Sequence, residues 1–137
     1  MTDLRTGDCY SFHVEHPAGT LLVHPSANYL PGVLTAHPAD TVYLGIGALG
    51  KQPPAFREAY WKEVVAATGA TRVVAIHWDN FTRSLDRPLQ ALPPRFDDVH
   101  TSLEFLSERC ADSGIALVLP RLWGPADPFA PVGDHHR

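Results

Sequence analysis

Apolar and polar side chains alternate from Cys9 to Glu15, with Tyr10, Phe12 and Val14 on one face and Ser11, His13 and Glu15 on the other. A period of two predicts a strand with one buried face. Pro17-Ala18-Gly19 has turn chemistry, so Thr20-Leu21-Leu22-Val23 is expected to return as the second strand of a hairpin. A loop rich in Pro, Ser, Asn and Gly follows from Pro25 to Gly32, and Thr41-Val42-Tyr43-Leu44 is a third strand ended by Gly45, Gly47 and Gly50.

The period then changes. Pro53-Pro54 opens a helix, where the fixed φ of proline is already helical. Phe56, Tyr60 and Val64 recur every four residues, Trp61 and Val65 widen the stripe, and Gly69 is placed to end it. Arg72-Val73-Val74-Ala75-Ile76 is a continuous apolar run, the pattern of a strand covered on both faces. After a long polar connection from Trp78 to Arg95, Asp97 or Asp98 caps a second helix. Its stripe is Val99, Leu103, Leu106 and Cys110, and its stop is Gly114. Ile115 to Leu119 is the last strand, and Pro120 to Arg137 has no period and reads as an irregular arm or frayed end. The expected architecture is α/β: a β-hairpin followed by βαβαβ, a mixed sheet with helices on one face. One domain is expected over residues 1–120, followed by a Pro-rich irregular tail over 121–137.

Composition adds boundaries. A formal net charge of -4 and scattered Lys and Arg argue against a nucleic-acid partner. No apolar run approaches the roughly 18 residues of a membrane span. Met1 to Asp8 is polar and acidic, unlike a secretory signal. Cys9 and Cys110 lie far apart outside any CxxC spacing, so two reduced thiols in a cytoplasmic protein are expected.

Ligands of α/β sheets bind beyond the carboxyl ends of strands, which directs attention to three places. Gly45-x-x-x-x-Gly50-Lys51 fits most of a phosphate-binding loop, but Gln52 stands where a Ser or Thr must hold magnesium. Pro53-Pro54 also removes two backbone donors there, so a turn that lets backbones pack closely is the better account. His77 ends a buried strand and is followed by Trp78, Asp79 and Asn80, a placement that suits either a hydrogen-bonded structural histidine or a metal ligand. His24-Pro25-Ser26-Ala27-Asn28 follows the second strand. His13, His16, His37 and His100 lack ligand spacing and read as surface or strand residues, and His135-His136 read as a flexible end.

These segments together resemble metallo-β-lactamase-fold hydrolases, in particular a bacterial subgroup related to the L-ascorbate-6-phosphate lactonase. Asp8 to His16 with Leu21 to Tyr29 resembles the central hairpin of that family. Val42 to Gly47 resembles its next strand and loop, and Ala75 to Phe81 its PxHWDxF segment. The resemblance runs from about Asp8 to Phe129 and covers only the C-terminal half of the family's αββα sandwich. It implies a zinc- or manganese-dependent hydrolase of esters, lactones or phosphoesters. His77 matches the last metal-binding histidine, with Asp79, His24, Ser26, Asn28 and Gly47 second-shell or site-lining. The HxHxDH motif of the first half is absent, and Ser26 falls near the usual bridging aspartate, which it cannot replace. Metal binding by this chain is therefore expected to be weak or absent, and activity of the isolated chain near background. The alternative is a non-catalytic assembly or binding module. Half a sandwich also implies a homodimer, or a partner chain that supplies the missing half.

Overall fold

The computed structural model describes residues 8–131. One five-stranded mixed sheet runs in the order β1-β2-β3-β4-β5. β1 (Phe12–His16) and β2 (Gly19–His24) form the antiparallel hairpin around Pro17-Ala18. β3 (Thr41–Gly45), β4 (Arg72–Ile76) and β5 (Ala116–Val118) follow β2 in parallel. Spatial order equals chain order, so every crossover steps in the same direction. Right-handed crossovers then carry all the connecting segments over the same face.

The first connection between β3 and β4 begins as a helix, α1 (Pro54–Tyr60), and continues as one wide π turn over Trp61–Val65 and a tight turn over Ala66–Thr68. The wide turn brings Trp61, Val64 and Val65 into the core beside Tyr60. Gly69 stops the rod in the left-handed region, as expected. α2 (Val99–Ser113) is capped by the Asp98 carboxylate, which accepts from the Thr101 amide at 3.0 Å. Its buried residues are Val99, Ser102, Phe105, Leu106 and Cys110. Leu103, expected in that stripe, is only partly buried. Ser102 replaces it because its hydroxyl accepts the buried Gly50 amide at 2.7 Å.

Strand register separates two unlike faces. Leu22 pairs with Val42 and Val42 with Val73, while Leu44 pairs with Ala75. These residues join Tyr60, Val64, Val65, Phe105 and Leu106 in a single core. The alternate positions, Leu21, Val23, Tyr43, Val74, Ile76 and Val118, lie on the other face. Of these six only Val74 is buried, at the centre of the sheet.

One segment, Asp127 to Ala130, partly covers this second face where the parallel strands begin. The Arg72 guanidinium donates to the carbonyls of Asp127, Pro128 and Ala130, and the Thr41 hydroxyl donates to Pro128 at 2.6 Å. The Phe129 ring stacks on His16 with centroids 5.4 Å apart. The chain from Leu119 to Pro131 has no helix or strand, but it is tied to the sheet by these contacts. The rest of the face stays open, and one expectation is corrected by it. Tyr10, Phe12 and Val14 are not a buried face of the first strand; they are 64%, 58% and 44% exposed. β1 is an edge strand, and its Phe12 and Val14 lie on the face of Val23 and Tyr43, away from the core packed under the helices.

Candidate functional site

The sheet's carboxyl end gathers all three predicted loops. β3 ends at Gly45, where a Cβ would overlap the carbonyl of Pro25, and the Tyr60 hydroxyl donates to the Gly45 carbonyl at 2.7 Å. A Cβ at Gly50 would likewise overlap the Asp98 carbonyl. The glycine-rich stretch therefore serves close packing of backbones, as the missing Ser or Thr suggested.

β4 carries His77 at its end, with φ at 59°, in a region costly for any residue but glycine. Its Nδ1 donates to the Pro25 carbonyl at 3.2 Å, and the ring lies against Gly47, so it points at the loops after β2 and β3. A ring nitrogen held by a carbonyl leaves Nε2 as the outward lone pair, the arrangement that orients many metal-binding histidines. Asp79 does not hold this ring. Its backbone bridges Ala91 and closes the long polar connection on itself, helped by the Asn80 amide donating to Gln90 at 2.7 Å. Among the described residues, no group of three or more His, Cys, Asp or Glu side chains is placed to hold a metal. The ligands among the described residues do not, by themselves, fit the three that a catalytic zinc requires.

His24, Ser26 and Asn28 come together elsewhere, at the β1–β2 edge on the helix side. They line a cavity of about 480 Å³ with Ser11, His13 and His37. His24 is 8% exposed. Burial lowers its pKa, partly opposed by its bond to the Asn28 carbonyl, so the ring is neutral near pH 7. Nε2 lies 2.6 Å from that carbonyl oxygen, which can only accept, so Nε2 carries the proton. Nδ1 is then an acceptor, and the Ser11 hydroxyl donates to it at 2.6 Å. Tyr60 packs on the other side of the ring, with centroids 5.8 Å apart, and burial pushes its hydroxyl far above the ordinary tyrosine range. His13 Nε2 donates to the Pro38 carbonyl at 2.7 Å, and its ring lies 5.6 Å from that of His37.

The Ser11–His24 pair was not foreseen from the alternation of residues, which places Ser11 on a wet face. Its signal lies in the hairpin. Phe12 pairs with Val23 and His16 with Gly19, so the same register carries Ser11 opposite His24.

Fold and site define a mixed α/β domain with a five-stranded sheet, a histidine at the sheet rim and a largely apolar cavity at the hairpin edge. Comparison of the chain with protein-family models, with curated proteins and with solved structures returns no match.

Proposed function

We propose that this chain is the C-terminal half of a metallo-β-lactamase-type sandwich, contributing His77 to a rim site that a second body completes. The observation that carries the reading is the open apolar face, with Phe12 58% and Val14 44% exposed on the same sheet that presents His77 at its carboxyl end. In a complete sandwich that face meets the other half. The orientation of His77 by the Pro25 carbonyl supports a ligand role. A metal bound there would polarise an ester, lactone or phosphoester substrate. Gly47 would line the approach to His77, and His24, Ser26 and Asn28 the neighbouring cavity. The second body is a second copy of the chain or a separate chain with the HxHxDH half. The two free thiols, Cys9 and Cys110, support a reducing cytoplasm. No described helix is long and apolar enough to cross a membrane.

Alone, the chain supplies one ligand where catalysis needs about three. Zinc or manganese should therefore bind weakly and be lost on dialysis, and the isolated chain should show no metal-dependent hydrolysis of a phosphodiester. Metal analysis of the dialysed chain and its His77→Ala variant checks this. Stoichiometric metal held by three side chains of one chain would overturn the reading. An assembly module without chemistry is the alternative, and it is favoured if adding the missing half restores binding of the two chains but no His77-dependent turnover.

A further inference from the structure

We propose that Ser11 and His24 form a nucleophile–base pair for metal-independent hydrolysis of small neutral acyl esters in the hairpin-edge cavity. The pair meets the geometric requirement for an activated serine. Nucleophile and base lie 2.6 Å apart, and a third group, the Asn28 carbonyl, holds the base in the tautomer that accepts the serine proton. Ser11 is exposed while His24 is buried, so the hydroxyl meets solvent and ligand while the imidazole keeps a fixed position. The cavity wall decides the substrate class. Tyr10, Leu22, Tyr29, Leu30, Val33 and Leu34 supply apolar surface, and among the described residues no Lys, Arg, Asp or Glu lines it. A charged substrate would find no counter-ion among these lining residues. An uncharged acyl group of a few carbons fits about 480 Å³.

The chemistry balances within the pair and one water. Ser11 Oγ bonds to the ester carbonyl carbon as its proton passes to His24 Nδ1. The C–O bond to the alcohol breaks, and the leaving oxygen takes that proton. Water then attacks the acyl-serine, gives a proton to Nδ1, and the proton returns to Oγ as the acid leaves. The site lies on the helix side of the sheet, opposite the open apolar face, and uses neither His77 nor a metal. It therefore stands or falls separately from the half-sandwich reading.

The experiment treats the full chain with a fluorophosphonate probe in the presence of a chelator and locates the adduct by peptide mass spectrometry. The same samples are assayed for hydrolysis of p-nitrophenyl acetate and butyrate. The result expected is one adduct on Ser11, with turnover lowered roughly 100-fold or more by Ser11→Ala, the usual scale for losing general-base assistance. His24→Gln should lower it similarly, and Ser84→Ala, at an exposed serine outside the cavity, should leave it unchanged. Ser11 is exposed, so its alanine variant retains the fold, which circular dichroism verifies. An adduct elsewhere, no adduct, or turnover unaffected by Ser11→Ala overturns the proposal and leaves the pair as a structural hydrogen bond.

Discussion

His24 is neutral because it is buried, and that has a consequence for stability. Its folded pKa lies below the ordinary value of 6.5, so the unfolded chain binds a proton that the folded chain refuses. The stabilisation from keeping the ring neutral is complete above pH 6.5 and is lost as pH falls from there through the lowered folded value. The groups packed around the ring are Ser11 from the hairpin, Tyr60 from the helix, and His13 and His37 across the cavity. Denaturant titrations between pH 7 and pH 5 should show a midpoint that falls with acid, and a smaller fall in His24→Gln. An unchanged slope in that variant would remove His24 as the cause. At this scale the sequence was informative only in part. His77 at the end of an apolar run was legible. Its positive φ was not, because a strained backbone at a histidine leaves no compositional mark. The Ser11–His24 contact needed hairpin register, which follows once Pro17-Ala18 is fixed as the whole turn.

Element boundaries were recovered where local chemistry marks them. β4 begins and ends at Arg72 and Ile76 as its apolar run does, and both α2 and the tight turn that continues α1 stop at a left-handed glycine. The π turn at Trp61–Val65 escaped because Tyr60, Trp61, Val64 and Val65 fit an ordinary helical stripe equally well. The stripe of α2 was legible except at Leu103, which yields its place to Ser102, a residue drawn inward by the Gly50 amide rather than by hydrophobicity. Leu106 is fully buried and Leu103 is not. Leu106→Ala should therefore cost about 3 kcal/mol, from lost transfer energy and the cavity left behind. Leu103→Ala should cost clearly less, and equal losses in chemical denaturation would contradict the register of the helix on the sheet.

The whole molecule has one finished face and one unfinished face. Helices close the first over Leu22, Val42, Leu44, Val73 and Ala75. On the second, the segment around Pro128 and Phe129 covers only the end where the parallel strands begin. Phe12 and Val14 remain exposed, and Leu21, Val23, Tyr43, Ile76 and Val118 are only partly covered. The sequence pattern showed that the strands carry apolar groups for two faces, but not that β1 would be left bare, because alternation reports that one face is apolar and not what covers it. Contiguous apolar patches beyond a few hundred Å² are uncommon on soluble monomers. Each Å² removed from water contributes about 25 cal/mol before the costs of association. A two-fold pairing of two copies is the simplest closure, since the same patch serves both partners. The most direct measurement is sedimentation of the full chain at micromolar concentration. The account predicts a species of twice 15.0 kDa, returned to monomer by Phe12→Lys with Val14→Lys. A folded species of 15.0 kDa that binds no hydrophobic dye would contradict it.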